Sequence, residues 1–414
     1  MSDLQKAWAK NRLGAMPIET FDELEEEEEE IGSLPELPEH FDDDSSSASS
    51  ASSTGTIIPS PSQNLFARPQ GVPRGRTFQP IPWTTYFERE LFLHDETSPQ
   101  SPTTHVYLTS PVGKGPLFVM HHGGGSSGLT FAVVGDQIRK RLPSAGVFSL
   151  DARGHGSTTV PEGQTLDLSL ETLADDLFAA LRLTRRAMEW AELPPVILVG
   201  HSMGGAVVTE LACSGRLGSA LLGYAVLDVV EGSAIDALQH MHTYLSTRPT
   251  RFQSLESGIE WHTRSRTVRN SISARTSVPS LLVLDDDDSG MESRPGPGGG
   301  DESSSRPWKW RTDLAATQPY WENWFAGLSG KFLAAKGGKL LLLAGTDRLD
   351  TELTIGQMQG KYNLQVFPEA GHFIHEDLPE KIAISLVDFH RRNDRTALVL
   401  PPKVSDLLKQ GKKV

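Results

Sequence analysis

Hydrophobic residues along the chain fall into short apolar runs that alternate with amphipathic helical patterns. Seven runs have the composition of strands buried on both faces: His105–Leu108, Leu117–Met120, Val147–Leu150, Val196–Val199, Leu222–Leu227, Leu340–Ala344 and Leu364–Phe367. Helical periodicity lies between them, over Leu168–Trp190, Met203–Ala212, Ser233–Leu245 and Pro379–Arg391. This alternation predicts an α/β fold with a mostly parallel central sheet and helices on both faces.

Polar segments flank this alternating region. Residues 1–76 combine a glutamate run, a serine-rich stretch and repeated prolines. Such a composition cannot bury enough apolar surface to fold. We therefore predict a disordered N-terminal region over 1–76, one globular domain over 77–395 and a C-terminal tail over 396–414.

The alternation stops between residues 246 and 338. Arginine- and serine-rich helical stretches, an acidic Gly/Pro-rich segment over 285–307 and a tryptophan cluster occupy this part of the chain. An excursion of this length between the sixth and seventh strands predicts a lid over the active site. Aromatic and leucine residues recur there at helical spacing and predict a buried packing face, with a substrate-gripping wall as the alternative: Tyr320, Trp321, Trp324, Phe325 and Leu328.

Acidic residues outnumber basic ones 53 to 39, and their placement is uneven. Asp22–Asp44 holds thirteen acids and no Lys or Arg, and Asp285–Glu302 holds seven acids and one Arg. The rest of the chain is therefore slightly basic. Acidic tracts of this kind are typical of solvated spacers, so we assign them no chemistry and expect no nucleic-acid partner.

The chain contains one cysteine, Cys213, which excludes an intramolecular disulfide. A reducing compartment is expected, the cytoplasm or the nucleus, and the thiol should be buried as a small apolar group. Met1–Leu13 has the features of neither a signal peptide nor an anchor, and no apolar run reaches the length of a transmembrane helix. We therefore expect no membrane association.

The five residues Gly200–Gly204 (GHSMG) follow directly on the apolar run Val196–Val199. In the G-x-S-x-G nucleophile elbow of α/β hydrolases, a buried strand delivers a serine into a tight turn before a helix. The strand in front and the helix behind make Ser202 the candidate nucleophile. The amide of Met203 starts that helix and is a candidate donor to an oxyanion.

A serine nucleophile needs a base, a carboxylate that orients the base, and a second oxyanion donor. Chain order in this fold places the histidine last, and His372 follows the final predicted strand; His375 lies one step further and is expected at the surface or against the lid. The glycine turn His122–Gly125 predicts the amide of Gly124 as the second donor. Its glycines are not followed by the Lys-Ser/Thr pair of a phosphate-binding loop.

Two strand ends could supply the carboxylate. Asp347 or Asp350 follows the seventh strand, which is the usual place, whereas Asp228 follows the strand Leu222–Leu227. Both strand ends lie at the same edge of the sheet, so the residues alone leave the choice open.

The turn Asp151–Gly156 leaves another strand, and its Asp151 and Arg153 should tie loops together. Neither the aspartate run nor the scattered histidines have the spacing of a calcium or zinc site. We expect no metal and no cofactor.

Several longer segments resemble the protein phosphatase methylesterases. The heptapeptide Thr354–Gly360 (TIGQMQG) is the most discriminating, because ordinary esterases have no reason to share it. The resemblance spans about 78–391 apart from the acidic segment, and it includes these stretches: Pro82–Phe87, Gly200–Ala206, Leu227–Gly232, Arg269–Asn270, Trp310–Arg311, Tyr320–Trp321, Leu343–Asp350, Gly371–His372 and His375–Asp377.

This resemblance implies a triad of Ser202, His372 and Asp228, with the acid on Asp228 instead of Asp347. It also implies the reaction: removal of the methyl ester from the C-terminal leucine of the protein phosphatase 2A catalytic subunit, with that subunit and its C-terminal tail as the partner. A small-molecule esterase or lipase of the same fold is the nearest alternative, and a non-catalytic scaffold that inhibits the phosphatase is the second.

Overall fold

The computed structural model describes residues 77–98, 100–285, 306–345 and 349–394. The chain divides into two units, 1–72 and 73–414, and every described residue belongs to the second. The predictions for 1–76 and 396–414 lie outside the described residues, as does most of the acidic segment 285–307.

Eight of the described strands form one sheet in the order β1-β2-β4-β3-β5-β6-β10-β11, and three form a small antiparallel sheet in the order β7-β9-β8. In the large sheet, β2 pairs antiparallel with both of its neighbours, β1 and β4. All other neighbouring strands of this sheet pair parallel. The predicted mostly parallel sheet is confirmed. In chain order the strands are β1 (Arg89–Leu93), β2 (Thr104–Thr109), β3 (Leu117–His121), β4 (Gly146–Leu150), β5 (Val196–His201), β6 (Leu221–Leu227), β7 (Arg251–Phe252), β8 (Leu282–Leu284), β9 (Trp308–Trp310), β10 (Gly338–Leu343) and β11 (Asn363–Val366).

Helices cover both faces of the large sheet. On one face α2 packs against α3, and on the other α1 packs against α11. The helices in chain order are α1 (Ala132–Arg141), α2 (Leu170–Ala187), α3 (Met203–Ser214), α4 (Glu231–Thr247), α5 (Leu255–Arg264), α6 (Ser271–Leu281), α7 (Trp321–Phe325), α8 (Leu328–Ala334), α9 (Thr351–Met358), α10 (Ile374–Asp377) and α11 (Pro379–Asn393).

The central strands separate two apolar cores because successive side chains point to opposite faces. In β5, Val196 and Leu198 belong to the core under α2 and α3, whereas Ile197 and Val199 belong to the core under α1 and α11. All four side chains are fully buried, which explains why the sequence shows a continuous apolar run and no alternation.

The segment between β6 and β10 builds a small core of its own. Helices α5 and α6 and the three short strands surround this small core. Its buried side chains are Phe252, Ile259, Val268, Ala274, Val278 and Leu282. The role of this insertion as a lid stays a prediction.

The aromatic residues that end the insertion do not form one helix. A 3₁₀ helix (Ala315–Tyr320) contains Pro319, which cannot donate a backbone hydrogen bond, and Gly327 takes a left-handed conformation between α7 and α8. Trp321, Trp324, Phe325 and Leu328 are nevertheless buried in the core of the large sheet, so their interpretation as a packing face is confirmed.

Three features differ from the sequence-based expectations. Strand β1 and helix α1 were not predicted; β1 is a sheet edge with mostly exposed side chains and lacks the apolar signal of the inner strands. The prediction that Cys213 is buried is wrong. Its residue type favours burial, but it lies near the end of α3 on the outward side, where its Sγ donates to the carbonyl of Lys331 at 3.3 Å.

Helix α11 offers a matched test of its packing against the sheet. Ile382 is 0% exposed and Ile384 is 44% exposed. Ile382→Ala should lower the free energy of unfolding by about 2–5 kcal/mol because it leaves a cavity. Ile384→Ala should change it by only about 0.5 kcal/mol. Urea denaturation with an unchanged m-value measures both, and equal losses would contradict the orientation of α11.

Candidate active site

Ser202 lies in the turn between β5 and α3, with φ 52° and ψ −122°. A left-handed φ is uncommon for a residue with a side chain, and the surrounding packing has to hold it. A Cβ on Gly200 would collide with the carbonyl oxygen of Gly204, and a Cβ on Gly204 would collide with that of His121. The two glycines therefore permit the close approach that exposes the serine at the sheet edge, as the elbow motif predicts.

Asp228 and His372 are in direct contact. The carboxylate follows β6, is 2% exposed, and its Oδ2 lies 2.8 Å from Nδ1 of His372. Its Oδ1 accepts the amide of Ala344 at 2.8 Å, and its own amide donates to the carbonyl of Leu342 at 2.7 Å. The carboxylate is thus fixed by the end of β10 and can orient the imidazole.

The turn that carries His372 is fastened to the nucleophile strand. His201, the residue before Ser202, donates from Nε2 to the carbonyl of His372 at 2.9 Å, and the two rings lie 4.6 Å apart. On the other side, the amide of Gly371 donates to Asp377 at 2.7 Å. These contacts hold the turn of His372 against His201, the residue that precedes the candidate nucleophile.

The side chain of His372 is 46% exposed, and Ser202 is half-buried. Within the residues that the structure describes, no hydrogen bond joins the hydroxyl of Ser202 to this imidazole. Hydrogen bonds of this kind often close only when the substrate is bound, so the missing bond does not argue against His372 as the base.

The glycine turn after β3 borders the nucleophile. A Cβ on Gly123 would lie 3.1 Å from Cβ of Ser202, so no side chain separates the two backbones. The amide of Gly124 belongs to the next peptide of this turn. The amide of Met203 is the first of α3 and has no acceptor within that helix.

The rest of the glycine turn is covered by the insertion and by a histidine. A Cβ on Gly124 would lie 3.4 Å from Cδ1 of Leu314 and 3.7 Å from the ring of Trp324. The amide of Gly125 donates to Nε2 of His155 at 2.9 Å. This third amide is occupied, whereas those of Gly123 and Gly124 have no acceptor among the described residues.

Asp350, the other candidate acid among the described residues, is not at the base. Asp350 begins α9: its Oδ1 accepts the amide of Leu353 at 2.8 Å, and its Oδ2 accepts the hydroxyl of Ser329. Asp347 lies outside the described residues. Of the two candidate carboxylates that the structure describes, Asp228 is the one in contact with His372.

Two side chains of the Asp151–Gly156 turn join neighbouring loops. Arg153 donates from Nε and Nη2 to Asp176 of α2 at 2.8 and 2.7 Å. Asp151 accepts the amides of Gly128 and Ser157 at 2.7 and 2.8 Å. Asp151 thereby anchors the segment that follows the glycine turn.

Similarity to known proteins decides the family. The alpha/beta hydrolase family model matches residues 118–384. The chain is 69% identical over 416 residues to protein phosphatase methylesterase 1 of Gibberella zeae and 65% identical over 456 residues to that of Neurospora crassa, with 100% of each chain covered in both pairs. This chain belongs to the protein phosphatase methylesterase family.

A solved structure supports the fold of this methylesterase family member. An E-2-(acetamidomethylene)succinate hydrolase has a TM-score of 0.51 and 19% identity, and the match covers 70% of this chain and 96% of that one. Likeness at this level establishes the α/β hydrolase fold alone.

Two further observations concern what a methylesterase of this family could bind. Among the described residues, no three His, Cys, Asp or Glu side chains come together as a metal site would require. None of the described helices combines the length and apolarity that crossing a bilayer needs.

His375 is not at the surface, so the first of its two expected locations is wrong. It is 0% exposed, and its ring stacks on Phe131 at 4.6 Å and lies 4.5 Å from that of His201. It belongs to the short helix α10, whose four residues are all buried, and α6 of the insertion packs against that helix. Only the tertiary structure reveals this cover.

Burial keeps the histidines around the site neutral. It lowers the pKa of His375 to about 3 and that of His121 to about 4. Burial, followed by the charges of His375 and His372, holds the pKa of His201 well below its usual value. A neutral His201 carries one ring proton, and it donates this proton to the carbonyl of His372.

Sequence reasoning missed three supporting residues: Gly123, His201 and Asp377. His201 lies inside the elbow motif and Gly123 inside the glycine turn. Their places in these motifs were the available signal that they support the site. Asp377 bonds the amides of Gly371 and Arg269, both at 2.7 Å. Asp377 and Arg269 are 108 positions apart, so their contact leaves no local pattern to find.

The glycine turn yields a paired prediction. Gly123→Ala should slow reaction at Ser202 by about 10²-fold, because its Cβ would press on the nucleophile and the oxyanion donors. Gly124→Ala should have a smaller effect, since the neighbouring Leu314 side chain can shift. The rate of covalent labelling by a fluorophosphonate measures both, with circular dichroism as the check on folding. A larger loss in Gly124→Ala would contradict this geometry.

Buried neutral histidines predict acid sensitivity. The unfolded chain protonates these imidazoles near pH 6.5, whereas folded His121 and His375 stay neutral to about pH 4 or 3. The free energy of unfolding should therefore be fully retained above pH 6.5 and fall as the pH drops, by up to about 1.4 kcal/mol per pH unit for each histidine. Urea denaturation at several pH values measures this slope.

A matched pair of variants tests the origin of the slope. His121→Gln should reduce the pH dependence of the free energy of unfolding by the contribution of one imidazole, because glutamine does not titrate. His94→Gln, at an exposed position, should leave it unchanged. Equal slopes in His121→Gln and the unsubstituted protein would show that the buried imidazole does not control acid stability.

Proposed function

We propose that this chain is a serine carboxylesterase that removes the methyl ester from the C-terminal leucine of the protein phosphatase 2A catalytic subunit. The observation that carries the proposal is the Asp228–His372 contact beside the Ser202 turn, in a chain 69% identical along its length to a protein phosphatase methylesterase. The family and the fold support an ester hydrolase, and the phosphatase 2A subunit is the specific substrate that we assign.

The reaction proceeds through an acyl-enzyme. Nε2 of His372 takes the proton of the Ser202 hydroxyl as its Oγ attacks the ester carbonyl, and Asp228 stabilises the imidazolium that forms. The tetrahedral intermediate collapses, and methanol leaves with the proton from His372. Water then attacks the acyl-enzyme with His372 again as base, which releases the leucine carboxylate and restores Ser202.

The negative charge of the intermediate forms beside two backbone amides. We assign the donors to Met203 and Gly124, which border Ser202 from α3 and from the glycine turn. Both are fixed by rigid backbone before the reaction begins, so they cost no reorganisation in the transition state.

Selectivity has to come from the protein to which the ester is attached, because a methyl group offers little surface to bind. The sequence suggested the aromatic residues of the insertion as the place for that contact. Trp321, Trp324 and Phe325 are buried in the core, so in this structure they support the insertion and do not form its contact surface.

Two alternatives predict different results. A small-molecule esterase would turn over free esters or lipids and leave the methylated phosphatase subunit unchanged. A scaffold would bind and inhibit the phosphatase fully as Ser202→Ala, with no ester turnover by the unsubstituted protein. The contact between Asp228 and His372 favours catalysis, since a scaffold does not need it.

A methyl-release assay on the methylated phosphatase subunit tests the proposal. Ser202→Ala should abolish methanol release, and Asp228→Asn should reduce it by roughly two orders of magnitude or more, as is general for triad acids. Asp347→Asn should lose far less and serves as the matched control. The reverse order of the two Asp variants would refute the acid assignment, and release by Ser202→Ala would refute the mechanism.

A further inference from the structure

A carboxyl group lies buried behind the base. Glu376 is 2% exposed, and no Lys or Arg among the described residues forms an ion pair with it. Its Oε2 lies 2.6 Å from the hydroxyl of Ser277, and its Oε1 is bonded to the hydroxyl of Thr130. Its backbone carbonyl accepts the hydroxyl of Ser273 at 2.8 Å. Both carboxyl oxygens and the backbone carbonyl of Glu376 thus contact other parts of the chain.

These partners come from two segments that flank the reaction. Thr130 belongs to the 3₁₀ helix Gly128–Phe131, directly after the glycine turn that borders the oxyanion. Ser273 and Ser277 lie on successive turns of α6, in the insertion. Glu376 itself follows the base His372 by four residues. One side chain therefore joins the oxyanion segment, the base turn and the insertion.

The hydrogen-bond pattern fits a neutral acid. A proton on Oε2 would be donated to Ser277, whose hydroxyl is free to donate to the carbonyl of Ser273 at 3.1 Å. Thr130 donates to Oε1 and accepts from Nε2 of His375 at 2.8 Å. Each hydroxyl then has both a donor and an acceptor. A carboxylate would require Ser277 to give up its bond to the carbonyl of Ser273.

The surroundings favour the same state. Burial, with a smaller contribution from the charge of Asp377, raises the pKa of Glu376 to about 7, although the hydrogen bonds from Ser277 and Thr130 act in the opposite direction. The imidazoles on this side, His375 and His201, are kept neutral by their own burial and provide no compensating positive charge. Removing the proton would leave an unpaired charge in the interior, which is costly.

A continuous path leads from this carboxyl to the base. Glu376 contacts Thr130, Thr130 contacts His375, and the ring of His375 lies 4.5 Å from that of His201. His201 donates to the carbonyl of His372 at 2.9 Å. A shift at Glu376 therefore moves the groups that hold the base turn against the nucleophile strand.

We propose that Glu376, as a neutral buried acid, is a positioning residue for ester hydrolysis: it fixes the turn of His372 to the oxyanion segment and to α6. The inference rests on the proposed roles of Ser202 and His372. It assigns to the insertion a direct mechanical connection with the base, through Ser273 and Ser277.

Two substitutions at this position test the proposal with p-nitrophenyl acetate as the probe. Glu376→Ala should lower kcat by about 10-fold or more with little change in KM, because a small misplacement of the base slows chemistry more than binding. Glu376→Gln should retain most of the kcat, since a neutral amide can donate to Ser277 and accept from Thr130. Ile382→Ala is the control for lost stability and should keep its kcat below the unfolding temperature.

The protonation state has its own readout. An infrared difference spectrum between the unsubstituted protein and Glu376→Gln should show the C=O stretch of a neutral carboxyl at pH 6, and this band should disappear as the pH rises past about 7. Absence of the band at pH 6 would overturn the neutral-acid assignment.

The remaining outcomes separate this inference from the proposed function. Equal kcat in Glu376→Ala and the unsubstituted protein, or equal losses in the Ala and Gln variants, would overturn the positioning role. If Glu376→Ala does not fold, Ser277→Ala replaces it and should lower kcat several-fold; an unchanged kcat would overturn the role. No turnover and no fluorophosphonate adduct at Ser202 in the unsubstituted protein would instead refute the proposed function.

Discussion

The backbone turn at Ser202 is the constraint on which the arrangement of the site depends. A left-handed conformation costs a non-glycine residue of order 1–3 kcal/mol, so the surrounding structure has to enforce it. The amide of Ser202 donates to the carbonyl of Leu227 at 3.0 Å. The amide of Asp228, the residue after Leu227, donates to the carbonyl of Leu342 at 2.7 Å. The ends of β5, β6 and β10 are thus bonded in sequence, and sheet register fixes the nucleophile relative to the acid.

The base lacks such a support, because His372 lies in a turn beyond the last strand. Its position depends on long-range contacts: the carboxylate of Asp228, the ring of His201 and the bond from Gly371 to Asp377. Asp377 in turn accepts the amide of Arg269, which belongs to the insertion. The position of His372 therefore depends on tertiary contacts, whereas the position of Ser202 is set by local backbone geometry.

This difference explains what the sequence could predict. Ser202, the inner strands and the glycine turn leave local signals, because each depends on neighbouring residues. Asp228 and Asp350 could not be separated by the residues alone, since both follow strands that end at one edge. Only hydrogen bonds distinguish the carboxylate that contacts His372 from the one that caps a helix. Cys213 was wrongly expected to be buried, and the surface option for His375 was wrong, because burial depends on which distant helix covers a position.

The two short strands that flank the acidic segment meet each other. Leu284 at the end of β8 pairs with Trp308 at the start of β9, and the amide of Asp285 donates to the carbonyl of Pro307 at 2.9 Å. The two described ends of this segment thus lie side by side. Because the entropy of closing a loop grows only slowly with its length, residues can be gained or lost between these ends at little thermodynamic cost.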